Sequence, residues 1–167
     1  MSQQAISNAR VWALGADIDT DALAPGAYMK HGLEVIGWHC LEAVRGDFAS
    51  GVKEGDVIVA GANFGIGSSR EQAAGVLRHL GLSAVIAPSY SGLFFRNAFN
   101  LGLLLLTCSA ANSIEEGERV GVLFEGDTPW VVRANGQRLA CAPIPPFLMD
   151  MVEAGGLLPL LKQRKQA

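Results

Sequence analysis

The amino-acid sequence predicts an α/β fold with a mainly parallel sheet, flanking helices and a smaller antiparallel layer. Three observations carry that expectation. Between Asp56 and Leu106, short apolar and β-branched runs alternate with stretches of helical spacing, the pattern of strands joined by crossover helices. Between Arg119 and Ala140 the helical spacing disappears, and strand-like runs are separated by Asn135-Gly136, a hairpin signal. The chain has 167 residues, of which 50% are hydrophobic, enough to bury one proper core, so residues 1–167 are expected to form a single domain.

Taken in order, Val11 to Leu14 reads as a first short strand. From Leu33 to Val44 the apolar residues Leu33, Ile36, Cys40, Leu41 and Val44 fall on one helical face, which predicts an amphipathic helix. Asp56 to Ala60 is a buried strand, and Gln72 to Leu80 a helix carrying Ala73, Val76, Leu77 and Leu80 on its inner face. Ala84 to Ala87 is the next strand, Phe94 to Phe99 the next helix and Leu103 to Leu106 the strand after it. Arg119 to Phe124, Trp130 to Arg133 and Gln137 to Ala140 make up the antiparallel part. The Lys162-Gln163-Arg164-Lys165 run reads as a solvated helix end. No internal repeat or low-complexity linker divides the chain.

The crossover between the second strand and its helix reads Asn63-Phe64-Gly65-Ile66-Gly67-Ser68-Ser69-Arg70-Glu71-Gln72. Glycines here let a ligand approach the main chain, and a helix start adds free N–H groups that favour an anion. Ser68 and Glu71 also fit a capping box, in which each side chain satisfies an exposed N–H of the other's residue, worth about 1 kcal/mol. Such a cap leaves Ser69, Arg70 and the glycines unexplained, and one loop can serve both purposes. A Walker loop is excluded because no lysine lies between Gly61 and Arg70, and a dinucleotide fingerprint lacks its third glycine. Arg70 points to a carboxylate ligand, since its planar fork can bind both oxygens at once.

Asn63-Phe64-Gly65-x-Gly67-Ser68-Ser69-Arg70-Glu71 resembles the active-site loop of the aconitase swivel domain, and more closely that of the separate small subunits of 3-isopropylmalate dehydratases and homoaconitases. Asp17-Ile18-Asp19-Thr20-Asp21 is similar to the early acidic turn of that family. Ala87-Pro88-Ser89-Tyr90-Ser91-Gly92-Leu93-Phe94-Phe95-Arg96-Asn97 is similar to its strand-to-helix segment. The C-terminal region from Pro143 to Phe147 and from Glu153 to Leu157 follows the family as well, so the resemblance covers nearly the whole chain. It implies the swivelling β/β/α form of the α/β fold and a hydro-lyase acting on a hydroxy di- or tricarboxylic acid.

Carried over residue by residue, the resemblance makes Ser68 the base that abstracts a proton next to a carboxylate, and Ser69 and Arg70 the residues that hold the substrate's carboxylates. Asn63, Gly65, Gly67 and Glu71 support the loop. A serine is too weak an acid to act as a base at neutral pH unless preorganised donors and positive charge stabilise its anion, which this loop can supply. Two positions depart from the commonest pattern of the family: Gln72 stands where many relatives have histidine, and Ile66 where many have cysteine.

Cys40, Cys108 and Cys141 are far apart in sequence and form no C-x-x-C pair, whereas iron–sulfur ligands usually include closely spaced cysteines. They read as ordinary buried thiols, so no metal ligands are assigned to this chain. The family's chemistry uses an iron–sulfur cluster (4Fe–4S) as a Lewis acid, and the resemblance therefore places that cluster on a separate large subunit. The expected partners are that large subunit and a small carboxylic-acid substrate.

Net charge is −3, giving no basic footprint for nucleic acid. No apolar run approaches the roughly 20 residues of a membrane span, and Met1-Ser2-Gln3-Gln4 lacks the pattern of a signal peptide, so a cytoplasmic location is expected.

Asp17, Asp19 and Asp21 do not make an EF-hand, because Ala22 and Gly32 occupy the positions where glycine and glutamate are required; turn formation and backbone bonding are their expected roles. In the family this segment leads into a substrate-selecting loop, here Pro25-Gly26-Ala27-Tyr28-Met29-Lys30-His31. Tyr28 and Lys30 are candidate substrate-binding residues. Relatives acting on a third carboxylate carry positive charge near Lys30, and isopropylmalate enzymes an apolar residue, so a substrate more polar than isopropylmalate stays open, as does a merely solvated lysine.

Arg96 reads as a structural ion-pair residue, and His79 as the end of its helix. Trp12, Trp38 and Trp130 are too scattered for a stacking platform and are expected in the core or an interface. The expected function is the small subunit of a heteromeric aconitase-like hydro-lyase, first of all a 3-isopropylmalate dehydratase of leucine biosynthesis. The alternatives are a homoaconitase, a methylmalate- or dimethylmalate-type dehydratase, or a non-catalytic carboxylate-binding module.

Overall fold

The computed structural model describes residues 2–166, with side chains from Gln4 onward. Among the described residues, the strands are β1 (Ser2–Ala13), β2 (Val57–Val59), β3 (Ala84–Ala87), β4 (Leu105–Thr107), β5 (Arg119–Glu125), β6 (Thr128–Arg133) and β7 (Arg138–Ala140). They form one sheet in the order β4-β3-β2-β1-β5-β6-β7. β1, β2, β3 and β4 run parallel, with Val11 opposite Val57, Val57 opposite Ala84 and Val85 opposite Leu105. β5, β6 and β7 continue from the other side of β1 as an antiparallel meander. The α/β fold class holds, and the antiparallel part is not a separate slab: both halves share β1.

Their burial follows from these positions. β2 and β3 are buried at every residue, as strands covered on both faces must be, whereas β5 alternates along its length. Register shifts in β1 between Gln4 and Ala9, with Asn8 at φ 53°, break the ladder there; bulges of this kind bend a strand and increase its twist. The far edges then meet, and the Ala142 N–H just after β7 donates to the Thr107 carbonyl at the end of β4 over 2.8 Å.

The first strand is longer than the sequence suggested, starting at Ser2 rather than Val11. Its outer half carries Gln4, Ala5, Ser7 and Asn8, all exposed, and is held by backbone pairing to β5, which composition does not announce. The helix expected from Leu33 to Val44 is shorter: α2 spans Leu33–Trp38. The chain then turns, with Leu41 at φ 62° and its N–H donating to the Ala22 carbonyl over 2.8 Å. Ile36, Cys40 and Leu41 are buried as expected, while Val44 is exposed. Short helices α1 (Thr20–Leu23) and α3 (Phe48–Gly51) lie within turns.

The crossover helices fall where the spacing placed them, as α4 (Gln72–His79) and α5 (Gly92–Asn100). The hairpin at Asn135-Gly136 also forms, with Gly136 at φ 89°. The C-terminus is a helical pair, α6 (Pro146–Ala154) and α7 (Leu157–Gln166), joined through Gly155 and Gly156 at positive φ. Trp12 is buried and donates from Nε1 to Asp56 Oδ2 over 2.9 Å, whereas Trp38 is 64% exposed.

Candidate active site

Three loops leave the C-terminal ends of β1, β2 and β3 side by side, which is where open α/β sheets bind ligands. Backbone bonds knit them into a short continuation of the sheet. The Asp17 N–H donates to the Ala62 carbonyl over 2.8 Å, the Gly65 N–H to Ile18 over 2.7 Å, the Thr20 N–H to Ile66 over 2.8 Å and the Phe64 N–H to Ser89 over 3.1 Å. Asn63 braces two of the joints: its Nδ2 donates to Asp17 Oδ1 and its backbone N–H to Ser89 Oγ, each over 2.9 Å.

The glycines of the loop have distinct reasons. Gly65 sits at φ 84° against Phe94, whose Cγ lies 2.2 Å from where a Cβ would stand. At Gly67, φ 113°, a Cβ would lie 2.9 Å from Thr20 Oγ1. Both are places where only glycine lets neighbouring elements close up.

The structure brings Ser68 and Arg70 together. Arg70 Nε donates to Ser68 Oγ over 2.9 Å, and Thr20 Oγ1 lies 3.3 Å from the same oxygen. The Ser68 N–H donates to Thr20 Oγ1 over 3.1 Å. Arg70 is oriented from the other side, where Nη1 donates to the Ala24 carbonyl over 2.9 Å and to Asp21 Oδ1 over 3.2 Å. Its Nη2 has no partner among the described residues. Ser69 is exposed, and its carbonyl accepts from Asn97 Nδ2 over 3.1 Å, which ties the loop to α5. A positively charged fork and an exposed hydroxyl thus flank Ser68, an arrangement able to hold a carboxylate and to favour a serine anion.

Asp21 extends this network toward the next loop. Its Oδ1 also accepts from the Gly26 N–H over 2.9 Å, and this bond, followed by that to Arg70, holds its carboxyl below the ordinary value. The Tyr28 segment is thereby tethered to Arg70 through one carboxylate. Tyr28 stacks on His39, ring centroids 3.6 Å apart, and Lys30 is exposed with no ion pair among the described residues. Among the described residues, neither side chain bonds to Ser68 or Arg70.

Two expectations need correction. The capping box does not form, because α4 starts at Gln72 and the Glu71 side chain makes no cap bond. Only the Glu71 carbonyl serves the helix, accepting from the Ala74 and Gly75 N–H groups. Ser68 is engaged by Arg70 and Thr20 instead, which outcompetes the local cap. Arg96 is exposed and joins no ion pair among the described residues. Two of the aspartates bond backbone as expected, Asp19 Oδ1 accepting from the Ala22 N–H over 2.7 Å and Asp21 Oδ1 from the Gly26 N–H, whereas the Asp17 carboxylate accepts from the Asn63 side chain. Sequence reasoning missed Thr20 and the Asp21–Arg70 pair. The available signal was topological, since the acidic turn and the serine loop follow adjacent parallel strands.

The thiols do not fit an iron–sulfur cluster. Cys40 is fully buried, and burial pushes its pKa up to about 12. Cys108 and Cys141 are also buried in the core, and Cys141 Sγ donates to the Leu139 carbonyl over 3.9 Å. Among the described residues no three His, Cys, Asp or Glu side chains gather as metal ligands. Nor, among them, is any helix long and apolar enough to cross a membrane.

Residues 47–111, which contain this loop, match the model of the aconitase C-terminal domain. The chain is similar over 158 residues, at 41% identity, to 3-isopropylmalate dehydratase small subunit 1 of Archaeoglobus fulgidus, covering 94% of this chain and 98% of that protein. It is 43% identical over 159 residues to 3-isopropylmalate dehydratase small subunit 1 of Methanopyrus kandleri, covering 92% and 91% of the two chains. The crystal structure of a 3-isopropylmalate dehydratase from Methanocaldococcus jannaschii superposes with a TM-score of 0.82 at 36% identity, over 99% of this chain and 96% of that one.

Proposed function

Because the chain belongs to the family of 3-isopropylmalate dehydratase small subunits, aconitase-type hydro-lyases, we propose that it is the small subunit of a cytoplasmic dehydratase acting on 3-isopropylmalate. The observation that carries the reading is the position of Ser68 Oγ, accepting from Arg70 Nε over 2.9 Å at the C-terminal edge of the parallel strands. Ser68 takes the proton from the carbon next to a substrate carboxylate. Arg70, through Nη2, and Ser69, through its exposed hydroxyl, hold that carboxylate so that the C–H faces Ser68. Asp21 and Ala24 fix the guanidinium beforehand, so little freedom is lost when the substrate arrives.

The partner in this reading is a large subunit that carries the iron–sulfur cluster. When bound, that cluster supplies a Lewis acid for the departing hydroxyl. The thiols of this chain are packed inside the core and cannot take that role.

A second reading, a substrate with a polar group in place of the isopropyl, as for a homoaconitase, rests on Lys30. This cation is exposed and without an ion pair among the described residues, on a segment tethered to Arg70 through Asp21.

The test is reconstitution with the large subunit from the same organism, following formation of the unsaturated acid from 3-isopropylmalate and from hydroxy tricarboxylates. Activity that disappears in Ser68→Ala is the expected result. Carboxylate binding with no turnover in any mixture would instead identify a non-catalytic module. If Lys30→Leu raises isopropylmalate turnover at the expense of tricarboxylates, the second reading gains; unchanged preferences remove Lys30 from specificity.

A further inference from the structure

We infer that Thr20 is a positioning residue whose hydroxyl donates a hydrogen bond to Ser68 Oγ and so lowers the cost of the serine anion. This rests on the reading of Ser68 as the base. Thr20 is 3% exposed, so its hydroxyl proton must find an acceptor in the protein. Its oxygen already accepts from the Ser68 N–H over 3.1 Å, and among the described residues the acceptor left within reach is Ser68 Oγ at 3.3 Å. The reverse direction, Ser68 donating to Thr20, would leave the Thr20 proton buried without a partner, the costly arrangement for a buried donor.

Ser68 Oγ therefore accepts twice, from Arg70 Nε and from Thr20 Oγ1. A serine oxygen has two lone pairs and one proton. With both lone pairs engaged on the protein side, its own proton points to the open face, where a substrate lies. Loss of that proton strengthens both bonds, because each now ends on an anion. Thr20 is well fixed for this purpose: its N–H donates to Ile66 over 2.8 Å, and a Cβ at residue 67 would lie only 2.9 Å from its Oγ1. The glycine there lets the threonine reach its neighbour.

The test uses the reconstituted two-subunit enzyme with Thr20→Val, which keeps the shape and removes the hydroxyl, and Thr20→Ser, which keeps the hydroxyl. For Thr20→Val, kcat is expected to fall about a hundredfold, the lower end of what one preorganised donor supplies. KM should stay within about twofold, since only an anion-specific bond is lost. The rising alkaline limb of kcat should move to higher pH, and Thr20→Ser should restore both kcat and the limb. A Thr20→Val enzyme with wild-type kcat and pH profile overturns the inference. So does a rise in KM with kcat kept, which marks a purely structural support of the loop, and so does a Thr20→Ser enzyme as impaired as Thr20→Val. If Ser68→Ala itself keeps activity, the base assignment is wrong and the role of Thr20 falls with it. Loss in Ser68→Ala beside a silent Thr20→Val removes Thr20 alone.

Discussion

Replacing Gly65 by alanine tests whether the active loop is held by close packing or only by its hydrogen bonds. An added Cβ would stand 2.2 Å from Phe94 Cγ and 2.4 Å from Phe94 Cβ. Rotating the ring cannot relieve the second contact, because Phe94 Cβ is fixed to α5. Phe94 is 3% exposed and packs edge-on against Phe64 with centroids 5.3 Å apart, so the ring has little room to retreat. The left-handed backbone at φ 84° adds its own strain for a residue with a side chain, about 1–2 kcal/mol. Overpacking adds about 1–3 kcal/mol, for a total of roughly 2–5 kcal/mol. Gly117→Ala is the control: φ is 77° and nothing lies within 4 Å of the added carbon, so only backbone strain applies. Urea unfolding of the two variants in parallel gives the difference directly. Some of the cost can be relieved by moving the loop rather than by lost stability, and that displacement would break the Ser68–Arg70 bond and abolish turnover in the reconstituted enzyme. Equal stability losses in the two variants, with turnover intact in Gly65→Ala, would refute the packing argument.

Acid stability should depend on Glu118, which meets Arg133 Nε and Nη2 at 2.8 Å each, with only 15% of its side chain exposed. Arg133 pulls the Glu118 pKa below the ordinary 4.5. Its contribution is therefore fully present above pH 4.5 and lost as pH falls through the lower folded-state value; thermal melts from neutral to acid pH should flatten over that window in Glu118→Gln. Asp56→Ala should destabilise by about 1–3 kcal/mol, because the buried Trp12 indole N–H then has no acceptor. Chemical unfolding measures it, and Asp56→Asn, which keeps a carbonyl acceptor, should lose less.

The parts of the fold visible in the sequence are those whose own side chains are apolar because they are buried. Val57–Val59 of β2, Ala84–Ala87 of β3 and Ala73–Leu77 of α4 are buried throughout, and their composition announces it. The outer half of β1 does not, since its partner is backbone supplied by β5 more than a hundred residues on in sequence. α2 misled for a related reason. Cys40 and Leu41 are buried at helical spacing although the helix has already ended at Trp38, because the Leu41 N–H bonds the Ala22 carbonyl and turns the chain inward. At the site, the local chemistry of the loop singled out Ser68, Ser69 and Arg70 as candidates, and the structure brings Ser68 and Arg70 together. Thr20 and Asp21 could not: their contacts to Ser68 and Arg70 cross between loops of different strands. The same cross-loop contacts defeated the capping box, which is the best arrangement for Ser68 only if nothing outside its own helix competes.

If Ser68 is the base of the proposed function, its exposure supplies a physical reason for a second chain. Ser68 and Ser69 are exposed, and the Asp21 side chain beside Arg70 is 70% exposed. A serine anion facing bulk water is protonated at once, and a carboxylate bound there competes with solvent for every donor. Arg70 has already committed Nε to Ser68 and Nη1 to Asp21 and Ala24, so among the described residues its Nη2 and the Ser69 hydroxyl are what remain for the two-carboxylate substrate of the proposed function. The second carboxylate and the departing hydroxyl need groups this loop does not hold. A cover that excludes water and brings those groups would turn the Ser68 network from a surface feature into half of an enclosed site, and the surface to be covered is the exposed face of Ser68 and Ser69.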